Sequence, residues 1–316
     1  AKLRLDSAQV SAADWSAVSI PEYTANKDLR ILFTPGSDVV LITDASPNVR
    51  LVAIDTRGTW ADTSDDEYRV WSSFTDSDGK SFNPARHTSL LACADGSVWL
   101  GTDMGVVEIT SAEAAMRPDM TVNRIKVPRN DGTGLADYLC ASDLVYDIAV
   151  DAAGRKWIAT DASGVYLMAP DGQRVISNFN TSNSPIPSNR ALSVWADPSS
   201  GDVYIGTDAG FCVYGSDAAP APEDDFDEIR VFPNPVRPEH TGDIRITGLM
   251  DGSLVKITDA RGNLVWQGRS TGGSLQWSGY DLSGRRLRSG VYFVIASRTG
   301  AAVASRGATA SFTVVN

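Results

Sequence analysis

Histidine is nearly absent: the 316 residues carry two, His87 and His240, 153 positions apart. A Ser-His-Asp or Cys-His centre needs an imidazole held beside its nucleophile by a third group, so covalent hydrolytic chemistry has little to work with. Both histidines read as surface residues, His87 in the loop Pro84-Ala85-Arg86-His87 leading into a strand, His240 shortly after Pro238. Cysteine is scarce too. Cys93, Cys140 and Cys212 form no Cys-x-x-Cys, which argues against structural zinc and thioredoxin-type chemistry. Cys93 and Cys212 lie in apolar, strand-like runs and are expected to act as small buried hydrophobes. No apolar run approaches the ~20 residues of a membrane span. The opening Ala1-Lys2-Leu3-Arg4-Leu5 is no signal peptide, so any such segment is expected upstream or already removed. No glycine-rich phosphate loop occurs. Neither a cofactor nor a metal is expected.

Positive charge is lacking from most of the chain. Up to Glu228 there are 17 Lys+Arg against 34 Asp+Glu, a net charge of −17. The remainder has 11 against 5, a charge of +6 within a total of −11. An acidic body argues against a nucleic-acid ligand, because phosphate contacts need a positive face. The opposite signs of the two parts predict a salt-sensitive contact between them.

What is present is a repeat. Asp95-Gly96-Ser97-Val98-Trp99-Leu100-Gly101-Thr102-Asp103 returns as Gly154-Arg155-Lys156-Trp157-Ile158-Ala159-Thr160-Asp161, and again as Gly201-Asp202-Val203-Tyr204-Ile205-Gly206-Thr207-Asp208. A weaker copy, Ser37-Asp38-Val39-Val40-Leu41-Ile42-Thr43-Asp44, places Val40 in the position of Trp99, Trp157 and Tyr204. Each copy reads as strand, turn, strand, with another apolar strand before it, as in Leu144–Val150 and Ala191–Trp195. Short strands, turn signals and a period near ~40–50 residues describe β-propeller blades. Gly101, Gly105, Gly206 and Gly210 fit tight turns and close approach between blades. About four blades are visible, and as a propeller takes ~4–8 blades, further blades are expected upstream.

The fold class is therefore all-β: β-propeller blades over residues 1–215, then a small immunoglobulin-like β-sandwich over 229–316. Residues 216–228 form an acidic Pro/Ala-rich linker. In the last part, Ile244–Ile246, Leu254–Ile257, Leu264–Trp266, Leu275–Trp277 and Val291–Ile295 alternate with period two between turns at Ala260–Asn263 and Asp281–Gly284. Thr75–Phe82 imitates a sialidase box but has Ser77 in the essential Asp place. It reads as an Asp-Gly hairpin, with too few oxygen ligands for calcium.

The repeat phrase, with Asn183-Ser184-Pro185-Ile186-Pro187-Ser188-Asn189 between copies, resembles the two-component-regulator propeller repeat of Bacteroidetes proteins. The tail resembles the C-terminal sorting domain of type IX secretion, on four ordered motifs. These are Val231-Phe232-Pro233-Asn234-Pro235-Val236; Val255–Val265 with Asp259 and Gly262; Trp277-Ser278-Gly279; and Ser289-Gly290-Val291-Tyr292-Phe293-Val294. Ser278 stands where that family has Asp. The terminal Ala308–Asn316 lacks the lysine common near cargo C-termini.

Blades joined to such a tail resemble the PorZ family of type IX surface components. The resemblance implies a non-enzymatic, outer-membrane-associated surface module exported through the periplasm. It implies work with the sortase PorU and with PorV and PorQ, and binding of anionic lipopolysaccharide. Arg285, Arg286 and Arg288 crowd one hairpin and are the candidate anion contact. Two other classes fit the same residues. One is exported cargo whose tail is cleaved off; the other is the glycan-sensing extracellular propeller of a two-component system.

Overall fold

The computed structural model describes residues 29–44, 50–59, 62, 64–129, 133, 135–198, 200–216, 218, 221–222, 225–297 and 307–316. The first 28 residues of the blade region and five linker positions lie outside them. Apart from a short 3-10 turn at Glu113–Met116, the regular structure among the described residues is β. The chain divides into two compact units: Ala1–Lys126 with Ala136–Val145, and Val127–Leu135 with Tyr146–Asn316.

One turn recurs throughout, and the sequence dictates it. In Asp-x-x-Gly-x the glycine adopts positive φ, at Gly79 (76°), Gly154 (73°), Gly262 (84°) and Gly284 (72°). The aspartate carboxylate accepts the backbone N–H groups two and four residues on. Asp151 Oδ1 does so from Ala153 and Arg155 at 3.0 Å each, and Asp76, Asp259 and Asp281 repeat the pattern. An Asx side chain closing a turn that ends on a left-handed glycine is a strong hairpin signal.

The first unit holds two four-stranded blades. Blade 1 runs β1 (Leu29–Phe33), β2 (Val39–Asp44), β3 (Leu51–Asp55) and β4 (Glu67–Trp71), paired antiparallel in chain order. A hairpin, β5 (Phe74–Thr75) and β6 (Ser81–Phe82), follows on the Asp76 turn. Blade 2 contains β7 (His87–Ala92), β8 (Val98–Thr102), β9 (Gly105–Ile109) and β10 (Asn123–Arg124). Val39, Leu41, Leu51 and Ala53 of blade 1 share one core with Val98, Leu100, Val107 and Ile109 of blade 2. Val40 and Ile42 belong to a separate cluster on the opposite face. The alignment of Val40 with the repeat's aromatic is therefore off by one residue, which in a strand turns the side chain to the other side. Leu41 and Val39 are the residues that face the following blade. Cys93 closes the β7–β8 turn, accepting from Gly96 N–H and donating to Ser97 O, rather than lying inside a strand.

Two short strands, β11 (Lys126–Pro128) and β12 (Ala136–Tyr138), precede the remaining blades. Blade 3 comprises β13 (Val145–Val150), β14 (Lys156–Thr160), β15 (Val165–Met168) and β16 (Val175–Phe179). Blade 4 has three strands among the described residues, β17 (Ala191–Ala196), β18 (Asp202–Thr207) and β19 (Gly210–Gly215). Trp157, Ala159, Val165 and Leu167 of blade 3 pack on Val194, Ala196, Val203 and Ile205 of blade 4. Burial of each large aliphatic side chain stabilises by ~1.5–3 kcal/mol, which is the main force joining the two blades of each pair. Gly206 meets its own sheet rather than a neighbouring blade: a Cβ there would lie 2.6 Å from Ser193 Oγ.

The last part of the chain forms two sheets over one core. β20 (Arg230–Phe232), β21 (Ile244–Thr247) and β24 (Ser274–Trp277) make a three-stranded sheet. The other, four-stranded, has the order β23-β22-β25-β26, from β22 (Leu254–Asp259), β23 (Leu264–Arg269), β25 (Gly290–Ser297) and β26 (Ala308–Val314). Period-two alternation sends Val255, Ile257, Val294, Ala296 and Phe312 inward, where they meet Ile244, Ile246, Leu275 and Trp277. This is sheet-on-sheet packing of a β-sandwich.

Candidate functional site

The motif residues of the tail prove to be the frame of the sandwich. Asn234 ties its first segment to its last strand: Asn234 Oδ1 accepts Thr313 N–H at 3.1 Å, and Val236 pairs with Thr313 O and Val315 N–H at 2.8 Å each. The flanking Phe232–Pro233 and Asn234–Pro235 peptide bonds are cis. Asp259 is spent on its own turn, accepting Arg261 N–H, Asn263 N–H and Asn263 Nδ2. That side-chain bond from Asn263, with the backbone donors, holds the carboxyl below the usual carboxylate range. Gly262 supplies the left-handed turn position. Trp277 is buried against Trp266 and Phe312 and donates Nε1–H to Tyr280 O at 2.9 Å. Gly279 (φ 78°) passes so close to Ile244 that a Cβ would lie 3.2 Å from its Cδ1. Gly290 begins β25, and Tyr292 stacks on Phe312 while its hydroxyl donates to Arg288 O at 2.9 Å.

The three arginines do come together. With Asp259, Asn263, Leu264, Val265, Asp281, Leu282 and Tyr292 they line a cleft of about 520 Å³. Within it the three differ. Arg286 donates Nη2 to His240 O at 2.7 Å and to Pro238 O at 3.4 Å, so it braces the loop. Arg285 reaches Asp281 through Nε at 3.3 Å and is otherwise exposed. The Arg288 side chain is exposed and makes no hydrogen bond or ion pair among the described residues. Asp281 is held below its ordinary range, first by the Arg285 backbone N–H. Leu264 (44% exposed) and Leu282 (63% exposed) give this charged cleft an apolar rim that the sequence does not reveal. Each reads as an ordinary strand or turn residue; only the folded hairpins set them side by side.

A second feature missed in the sequence is how the sandwich is held. Arg245 on β21 donates Nη2 to Ser200 O at 2.6 Å, with Nη1 3.9 Å from Asp202 of blade 4. Gln276 on β24 donates to Gly215 O at 3.0 Å. The linker is pinned at its start. Asp151 Oδ2 accepts Trp157 Nε1–H at 3.0 Å and Arg155 Nε–H at 2.8 Å, and Arg155 Nη2 donates to Ser216 Oγ at 2.7 Å. Ser216 and Ala218 are fully buried, and Phe226 packs on the sandwich core. The expected contact between acidic and basic parts includes ion pairs of Arg245 with Asp202 and of Arg230 with Glu228. The other bonds described go to backbone carbonyls.

His87 is not a surface residue. It opens β7 at 0% exposure, 5.4 Å from the Phe74 ring, with neither ring nitrogen bonded. Burial lowers its pKa from 6.5 to about 4. His240 is half-buried, its Nε2 3.1 Å from Asp243 O. All three cysteines are half-buried, and burial pushes the Cys140 thiol up to about 12. Among the described residues no group of three or more His, Cys, Asp or Glu could hold a metal. No helix among them is long and apolar enough to cross a membrane.

No protein-family model matches the chain, and no curated protein does either. Solved structures do. PorZ, an essential bacterial surface component of the type IX secretion system of Porphyromonas gingivalis, is 27% identical, with a TM-score of 0.64. The match covers 94% of this chain and 40% of that one, so this chain spans well under half the length of that protein. The extracellular domain assigned to the hybrid two component system BT3049 of Bacteroides thetaiotaomicron is 16% identical, with a TM-score of 0.34 over 91% of this chain and 44% of that one. That assigned to BT4673 of the same organism is 13% identical, with a TM-score of 0.32 over 90% and 44%. The chain is an all-β protein of small antiparallel blade sheets and a two-sheet sandwich, similar in fold to PorZ.

Proposed function

We propose that this chain is part of a non-enzymatic surface component of the type IX secretion and attachment machinery. The observation that carries the reading is the 27% identity to PorZ across 94% of the chain, through blades and sandwich alike. On this reading the sandwich is a sorting-type C-terminal domain that stays attached. It works at the outer-membrane surface with the sortase PorU and with PorV and PorQ. The basic sandwich is the part that meets anionic lipopolysaccharide.

The pinned linker supports retention. The start of the linker is closed, with Ser216 and Ala218 buried, and the sandwich is bonded to blade 4 through Arg245 and Gln276, so cutting near the exposed Asp225, Asp227 and Glu228 would still leave it held. The intact mass of the native protein recovered from the cell surface tests this. A mass that includes residues 229–316, with loss of type IX export when those residues are deleted, is the expected result. A mass ending within the linker would make the protein processed cargo and overturn the reading.

A further inference from the structure

We propose that the cleft between the Asp259 and Asp281 hairpins binds an acidic, aliphatic-rich peptide segment of a protein partner. This rests on the reading of the chain as a protein-binding component and names the chemistry of one contact.

Charge comes first. The lining carries Arg285, Arg286 and Arg288 against Asp259 and Asp281. Both carboxylates have their oxygens engaged by three donors from their own turns, and both stay ionised for that reason. Asp259 therefore has little acceptor capacity left with which to compete for the arginines, and Asp281 holds only Arg285. Arg286 is occupied by two carbonyls. The guanidinium left to a ligand is that of Arg288, with Arg285 able to exchange its single 3.3 Å bond. A planar guanidinium pairs best with a carboxylate or phosphate, two N–H groups at a time.

Shape and apolar surface then choose between anions. At about 520 Å³ the cleft lies within the ~300–1,000 Å³ range of ligand sites. Its exposed apolar rim is Leu264 and Leu282, branched aliphatics rather than flat rings. Tyr292, the aromatic in the lining, is 8% exposed and already stacked on Phe312, so no ring is free as a platform for a sugar. The rim also includes a sheet edge, because β23 is the outermost strand of its sheet. That edge already accepts one chain: Leu282 N–H donates to Val265 O at 3.0 Å. An extended peptide laid along such an edge, with a carboxylate at Arg288 and a branched side chain between the two leucines, meets all three features.

The test uses the full chain with arginine Nε–H and leucine methyl groups isotope-labelled. The probe is a degenerate hexapeptide pool alternating Asp/Glu with Leu/Ile/Val. The expected result is saturable shifts of Arg288, Arg285, Leu264 and Leu282, weakened about tenfold by Arg288→Glu and by Leu282→Ala, and weakened by salt. The same pool with Asn/Gln in place of Asp/Glu should leave the signals unmoved. No saturable shift, equal shifts from the amide pool, or shifts produced by lipopolysaccharide micelles but not by peptide would each overturn the proposal. Both exposed substitutions leave the core untouched, so folding does not confuse the result. Failure of the wider reading is separable: it would appear as unimpaired type IX export in a strain lacking residues 229–316, whatever the peptide does.

Discussion

Lowering the pH should destabilise this protein through His87, and the size of the effect follows from its surroundings. The ring is wholly buried beside Phe74, and neither nitrogen has a partner, so the folded state holds it neutral. Its pKa is about 4 folded against 6.5 when solvated. The unfolded chain therefore binds the extra proton between those values, and stability falls as pH drops through that window. At about 1.36 kcal/mol per pH unit the loss is about 2 kcal/mol at pH 5 and about 3.4 kcal/mol well below pH 4; well above pH 6.5 there is none. The perturbation is His87→Leu, which fills the site with a neutral group and removes two unbonded polar atoms. Urea unfolding of both proteins at pH 7 and pH 5, followed by tryptophan fluorescence, isolates His87, because every other titrating group is common to the pair. The stability gap between variant and parent should move by about 2 kcal/mol in the variant's favour between the two pH values. A gap that stays constant refutes the reasoning and places the ring in contact with water or a hydrogen-bond partner.

Other consequences can be measured alongside. Asp151→Asn removes the buried ion pair with Arg155 and weakens the acceptor of Trp157 Nε1–H, and should cost about 3–5 kcal/mol, with Ser216 and Ala218 becoming sensitive to protease. Arg245→Ala should cost no more than about 1 kcal/mol through the loss of its ion pair, and should leave the small-angle scattering envelope less responsive to salt than in the parent. Gly105→Ala should destabilise by about 1–3 kcal/mol, since Gly105 has φ 91° and a Cβ would collide with Leu139 O; a neutral outcome in thermal melts would contradict that geometry. Alkylation at pH 8 should reach Cys140 far more slowly than a free thiol, because its pKa is near 12.

The sequence announces hairpins clearly because their causes are local. An aspartate, a glycine three residues later and flanking alternation specify Asp151–Gly154 and Asp281–Gly284 without help from the rest of the fold. The five alternating runs of the last part each become a strand of the sandwich, β21 to β25, whereas β20 and β26 are not marked by it. Contacts set by distant residues are harder to read. His87 reads as exposed because polar and basic neighbours surround it in the chain, whereas Phe74 buries it from an earlier hairpin. Val40 is misplaced by one residue because every position in Val39–Ile42 is apolar, so alternation carries no phase there. The arginine hairpin is visible as composition. The fact that Arg286 is consumed by carbonyls of Pro238 and His240 while Arg288 is left over depends on groups nearly fifty residues away.

Strand pairing also fixes the order in which parts of the chain can finish folding. Within each blade every partner is the next strand along, so a blade can close as soon as its own strands are available. The sandwich is different. β22 must wait for β25, β21 for β24, and Val236 for Thr313 and Val315 at the far end of the chain. A polypeptide stopped before β26 would carry paired blade strands and an open sandwich, with Tyr292 and Trp277 lacking the cover of Phe312. Closure of the sandwich therefore reports that β26 has arrived.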